Sequence, residues 1–494
     1  MAPFQKSVGP TAKLTQRVSL AKSLSMRHYL SLAFGVIIGV GWVVFATRWI
    51  VNGGWLGAVL AFAIGAAVMI PLGRCYSELT AAMPVSGGAV AFVFKAFGPF
   101  AAFLAAWALT LKYIAVTAFE TVAIGQLIEP ALPFLRTEPL YEVQGYGVSI
   151  TNLVAGIGVG LWVIWINWRG VKQAAIFQMI VVAALLISTA LFAGLAFING
   201  DIANLKPVFA NMNGETGFAA ALSGIAAVLV TVPFFLAGFD TIPQAAEEAG
   251  RKMRAKDLGA VIMISILAGV AFYLVIIMTV AISSPRSELI AIIEAKEGLP
   301  MVEVFENVIQ NKFAANLVLF AALMGLISTL NGVFIGATRI LFAQGRGGLL
   351  PEWFSALHPR HHTPANAILF VGAIAVAAPF FGYPVLSIVI SGNSLIFTAI
   401  LLTAAVSALQ LRKTAPDMAR PIKVSNATLI LAIFLGGGLV ALMLVPGSPG
   451  RIGATQLTLI GGWTLLGVAF YFLRARFKGA LSYDEQARLI LGEH

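Results

Sequence analysis

The stretch WALTLKYIAVTAFE (107–120) sets a lysine, a tyrosine, a threonine and a glutamate into an otherwise apolar run. At about 100° per residue, Lys112, Tyr113, Thr117 and Glu120 fall within an arc of about 140°, so one helix face carries all four. Lys112 and Glu120 stand about 12 Å apart along the axis, too far for a contact between neighbouring turns, so each requires another partner. Ionisable groups at membrane depth are costly and line a pathway or pair with one another. The chemistry on offer is recognition: Glu120 for a substrate amine, and Lys112 for an acidic end or as a proton-linked latch. Lys112 can equally pair with Asp240, or with helix carbonyls, merely to fix packing.

Two interrupted stretches accompany this face. GVIIGVGWVVF (35–45) carries Gly35, Gly39 and Gly41, and PFFLAGFDTIP (233–243) carries Pro233, Gly238, Asp240 and Pro243. Each glycine lowers helix stability by about 1 kcal/mol, and each proline removes a backbone donor. Breaks at corresponding places in two halves of a membrane protein point to a site between them, where freed N–H and C=O groups hold a carboxylate, an amine or a cation. The candidate substrate residues are therefore Gly39, Val40 and Gly41, with Ala237, Gly238 and Asp240, facing Lys112, Tyr113, Thr117 and Glu120. Phe234, Phe235 and Phe239 cluster around the second break, where a ring can close over a bound substrate.

These residues need long helices to position them, and the composition supplies them. The chain has 494 residues, 59% hydrophobic and 11% charged, with apolar runs repeatedly longer than the roughly 20 residues that cross a bilayer. No run alternates as a barrel strand would, so the chain reads as an all-α polytopic membrane protein. Twelve spans are expected, at 28–51, 54–81, 98–127, 148–168, 173–198, 218–244, 256–282, 313–341, 364–382, 385–411, 426–446 and 453–474. Most of the 32 Lys and Arg fall on the side of the N-terminus and alternate loops, which makes that side cytoplasmic and places both termini there. The net charge of +11 is thus a topology signal and no argument for nucleic acid.

Other chemistries lack their residues. Cys75 is the single cysteine, so no intramolecular disulfide forms. His361 and His362 adjoin without a carboxylate or cysteine at ligand spacing, which argues against a metal site. HExxH, GxxxxGK[ST] and GxSxG are missing, so neither an enzyme nor an ATP-driven pump is indicated, and no cofactor is expected. Glu247 and Glu248 are expected to pair with Arg251 or Arg254 as exposed ion pairs.

Four segments resemble the amino acid/polyamine/organocation permeases: YSELTAAMPVSGGAV (76–90), FFLAGFDTIPQAAEEA (234–249), RGGLLPEWFSALHPRHHTPANA (346–367) and LRKTAPDMARPIKV (411–424). The resemblance implies a LeuT-type fold of two inverted five-helix repeats, 28–198 and 218–411, with two further helices at 426–474, working by alternating access. The flanking segments 1–27 and 475–494 become cytoplasmic tails. Gly39-Val40-Gly41 takes the place of the family's G-S-G, followed by the bulk of Trp42, and Lys112 stands where cationic relatives read LEY. Phe234 falls on the gating position. Ser328 and Thr329 in GLISTLNG, with the Ile38 carbonyl, match the sodium site of such carriers. A lysine midway along span 5 in many sodium-independent relatives has Leu185 near its place, so coupling by Na+ or H+ is left open.

The expected function is a secondary carrier, a symporter or exchanger, of an amino acid or small amine across the plasma or inner membrane. A polyamine carrier, a non-transporting sensor and a channel are the alternatives. The expected partners are the small-molecule substrate, the lipid bilayer and, at most, a second copy in a homodimer.

Overall fold

The computed structural model describes residues 17–492 apart from 145, 212, 214, 216, 296–298, 383, 449–450 and 478–480. Residues 1–16 and 493–494 of the expected tails, His494 among them, lie outside the described residues. The helices are α1 Met26–Ile37, α2 Gly41–Ala82, α3 Gly88–Phe97, α4 Pro99–Ala131, α5 Ile150–Arg169, α6 Val171–Asn199, α7 Phe218–Leu229, α8 Val232–Phe235 and α9 Thr241–Gln244. After these come α10 Ala255–Ser283, α11 Arg286–Ala295, α12 Pro300–Glu303, α13 Lys312–Arg346, α14 Ala365–Ala377, α15 Pro384–Thr414, α16 Asn426–Leu444, α17 Ala454–Phe477 and α18 Tyr483–Leu491.

Each of the twelve marked segments contains helix, and among the described residues ten helices are long and apolar enough to cross a membrane. The first span is split between α1 and the start of α2, which then continues as the second span. Gly54, at φ 70°, breaks α2 between them, and a side chain there would lie 2.5 Å from the Val208 carbonyl. The ninth segment is a shorter helix. A hairpin of β1 Pro139–Val143 and β2 Tyr146–Ser149 after α4 departs from the all-helical expectation. It is held to the bundle by Tyr141, whose hydroxyl donates to the Phe380 carbonyl at 2.7 Å.

The core centres on α13, which packs against α1, α4 and α6. Its apolar window is 78% buried against 6% for α17, so α13 is the post around which the site is built and α17 is peripheral. Two of the quoted segments meet at Glu78, which is fully buried. Its Oε2 accepts from Arg412 at 2.6 Å and from the Val424 N–H at 2.7 Å, and Arg420 lies 3.3 Å from Oε1. The connection after α15 is thereby fastened to the end of α2.

Candidate functional site

α1 stops at Ile37 and α2 starts at Gly41, so Ile38, Gly39 and Val40 form the first interruption. The second runs over 236–240, between α8 and α9. The second seats closely against the last turn of α1. Gly238 has φ 151°, and a Cβ on it would lie 2.6 Å from the Ile37 nitrogen and 2.9 Å from the Ala33 carbonyl, so no side chain fits. Tyr273 of α10 donates to the Ile37 carbonyl at 2.6 Å. Gly325 of α13 admits the Ile38 and Gly39 carbonyls, each 3.2 Å from where its Cβ would be.

The polar face of α4 points inward: Lys112, Tyr113, Thr117 and Glu120 are all buried. Asp240 gathers the inner part of it. Its Oδ2 accepts from Lys112 Nζ at 2.5 Å and from the Tyr113 hydroxyl at 2.7 Å, while Oδ1 accepts from the Gly238 N–H at 3.0 Å. Lys112 also lies 4.4 Å from the Phe397 ring centroid. Asp240 therefore ties the second break to α4, and Lys112 is committed to it. Thr117 donates back to the Tyr113 carbonyl at 2.8 Å, a local bond of the kind helix hydroxyls commonly make.

Glu120 is placed differently. It is 3% exposed, Oε2 has no hydrogen-bond partner, and Oε1 lies 3.9 Å from the point where a Gly39 Cβ would stand. A buried carboxylate without a donor or cation is costly, so its position beside the first break is a demand for one.

The remaining residues around the breaks have mixed placements. A Gly41 Cβ would meet the Phe235 ring at 2.7 Å, so Gly41 makes room for an aromatic. Phe235 belongs to a cluster with Phe45, Trp49 and Tyr273, at centroid distances of 5.5, 4.7 and 5.5 Å. Phe234, the expected lid, is half-buried with its ring edge-on to Phe235 at 5.3 Å, and Ala237 is half-buried beside it. Trp42 is fully buried and stacks on Phe192 at 5.6 Å, so its bulk is absorbed between α6 and α10. Phe239 packs on Phe397 and Tyr76.

Ser328 and Thr329 both face α1. Thr329 donates to the Gly35 carbonyl at 3.3 Å. Ser328 engages Gln178 of α6, whose Nε2 lies 2.9 Å from Ser328 Oγ, 3.1 Å from the Ser328 carbonyl and 3.3 Å from the Ser31 carbonyl. Gln178 Oε1 accepts from Asn331 at 2.8 Å, and Asn331 accepts from Asn167 at 2.9 Å. The polar group of span 5 at this junction is thus Gln178, about two turns before Leu185 along α6. Sequence reasoning passed over it, although a glutamine opening the run QMIVVAALLIS is itself a signal.

At the end of the bundle where the described terminal segments meet, the expected pairing of Glu247 and Glu248 is corrected. Glu247 accepts from Arg346 at 3.0 and 2.9 Å, from Arg17 at 3.0 Å and from the Ser86 N–H at 3.1 Å. Glu248 accepts from Arg339 Nε and Nη2, both at 3.0 Å. Arg254 instead pairs with Asp257 on the surface at 3.0 Å. The chain at Ala249 bridges to Leu24, which turns both carboxylates toward α13 and away from the following loop. Burial would raise the Glu247 carboxyl, but the Arg346 and Arg17 charges and the Ser86 N–H outweigh it and hold it below its ordinary value.

Among the described residues no group of three His, Cys, Asp or Glu could hold a metal ion. The amino acid permease family model matches residues 24–469. A branched-chain amino acid permease of Bacillus subtilis is 28% identical over 94% of this chain and 95% of its own length. A vacuolar cationic amino acid transporter of Arabidopsis thaliana is 28% identical over 83% of this chain and 66% of its own. A branched-chain amino acid permease of Lactococcus lactis is 26% identical over 76% and 79%. With the broken first and sixth spans inside a match of that extent, the chain belongs to the amino acid permease family.

Proposed function

We propose that the protein is a secondary carrier of a neutral amino acid, working by alternating access around the paired breaks, with residues 28–198 and 218–411 as its two repeats. The observation that carries this is Glu120: a buried carboxylate with an unpartnered oxygen beside the first break suits a substrate ammonium. Lys112 and Asp240 compensate each other, so this part of the site offers no second free carboxylate for a cationic side chain. The backbone of Gly39, Val40 and Gly238 is the expected ligand for the substrate's carboxylate, and Phe234 the expected lid. The distribution of Lys and Arg supports a cytoplasmic position for both termini, and the bacterial relatives support the plasma membrane.

Sodium-independent coupling is the reading we favour. The Gln178 carboxamide directs its N–H groups at the Ser328 hydroxyl and carbonyl and the Ser31 carbonyl, oxygens that border the Ile38, Ser328 and Thr329 position where a sodium ion was expected. A donor aimed at those oxygens competes with a cation for them. With Lys112 and Asp240 neutral as a pair, Glu120 leaves one negative charge, which a zwitterionic substrate does not cancel. A proton carried in with the substrate does. The test is uptake of labelled L-leucine into proteoliposomes under imposed sodium or proton gradients. Accumulation driven by an acid exterior supports the reading, and accumulation driven only by sodium returns the coupling role to Ser328 and Thr329.

A further inference from the structure

The bond network around Glu247 lies apart from the paired breaks and reaches into both terminal segments. α18 lies on the tip of α13. Ile490 fills the space beside Gly347, where a Cβ would be 2.5 Å from it, Leu481 does the same beside Gly348 at 2.6 Å, and Gln486 donates to the Gly347 carbonyl at 3.3 Å. Tyr483 stacks on Phe94 of α3 at 5.1 Å with 14° between the rings. A capping box of Ser482 and Glu485 starts the helix, and Gly492 at φ 73° ends it.

Arg17 joins this helix to the chain after α9. Its Nε donates to the Leu489 carbonyl at 3.3 Å while its Nη2 donates to Glu247 at 3.0 Å. Arg346, from the tip of α13, takes the other side of Glu247 and also donates to the Val18 carbonyl at 2.9 Å. Ser23 and Leu24 both donate to the Glu248 carbonyl at 2.9 Å. Glu247 and Glu248 cannot leave α13 unless Arg339, Arg346 and Arg17 release them.

We propose that α18 positions Arg17 as the bolt of the gate at this end, so that the C-terminal helix sets how often the carrier opens toward the side bearing its termini. The guanidinium is suited to the task because its planar fork makes two directed bonds at once, one to a carboxylate and one to a helix-end carbonyl. A lysine supplies a single charge centre and cannot bridge both in this geometry. The proposal rests on the alternating-access reading.

The test uses the full chain in a Cys75→Ser background with Ala246→Cys as reporter, since Ala246 is 2% exposed beneath the gate. Labelling by a membrane-impermeant maleimide from the termini side is timed in vesicles. Deleting 481–494, Arg17→Ala and Arg17→Lys should each speed labelling by about fivefold or more, as expected when a partly buried bridge biasing a two-state gate is lost. Arg17→Lys combined with the deletion should add nothing further. Arg17→Lys behaving as wild type would reduce Arg17 to charge compensation and overturn the bolt, as would additive effects or unchanged labelling in a folded truncation. If the truncation does not fold, Ile490→Glu, which peels the helix from Gly347, gives the same reading. Failure of the carrier reading is distinguishable, because saturating L-leucine would then leave labelling of the unaltered gate unchanged.

Discussion

Lys112 Nζ and Asp240 Oδ2 are 2.5 Å apart, with side-chain exposures of 4% and 0%. An ion pair this dry is a fixed post: removing one partner strands the other. Lys112→Met should destabilise the protein by about 3–5 kcal/mol, and Lys112→Met with Asp240→Asn by clearly less. Thermal unfolding in detergent, run as a double-mutant cycle, measures this. Small single-variant costs with a changed substrate preference would make Lys112 a ligand.

Glu120→Gln keeps shape and removes the charge. L-leucine affinity should fall about tenfold, and accumulation driven by a proton gradient should vanish while exchange persists. Counterflow and gradient-driven uptake separate the two effects.

Gln178→Ala should cost about 1–3 kcal/mol, because Ser328 and Asn331 lose a buried partner together. Wild-type uptake should be unchanged when choline replaces sodium. A wild type that stops in choline would refute the assignment of Gln178.

Gly35→Ala and Gly194→Ala form a matched pair within the spans. At Gly35 the added carbon would sit 2.1 Å from Ser328 Oγ and 2.4 Å from Gln178 Nε2, whereas nothing lies within 4 Å at Gly194. The first should abolish transport or folding. The second should be neutral or stabilising by up to about 1 kcal/mol. Expression and melting temperature of the two report the difference.

Glu247 predicts an acid limit. Its folded carboxyl is more acidic than the free side chain's 4.5, so its contribution is complete above that pH and is lost as pH falls through the folded value. Melting temperature should be flat in this respect from pH 8 to 6 and drop below about pH 4.5, with Glu247→Gln lacking that drop.

The helical character of the apolar runs, both breaks and the polar face of α4 were legible because hydropathy and 3.6-residue periodicity are local properties. Pairing was not. Asp240 was one of several partners open to Lys112, and choosing it required knowing how α9 sits against α4. Glu247 pairs with Arg17 and Arg346, far away in sequence, while the nearby Arg254 turned to Asp257; only the fold of the chain at Ala249 decides between them. Gly35, Gly39 and Gly41 looked alike in sequence, yet one faces Gln178, one Glu120 and one Phe235, since a glycine's neighbour is written on the opposite helix.

Gly238 seats against the last turn of α1: a Cβ there would lie 2.6 Å from the Ile37 nitrogen, 2.9 Å from the Ala33 carbonyl and 2.8 Å from the Ile37 side chain. The second interruption and the end of α1 mesh like gear teeth cut largely from backbone, so a displacement of one is felt by the other. Side chains around the breaks are then free to diverge toward new substrates without altering the transmission. Position 238 is the exception, where any side chain would jam it.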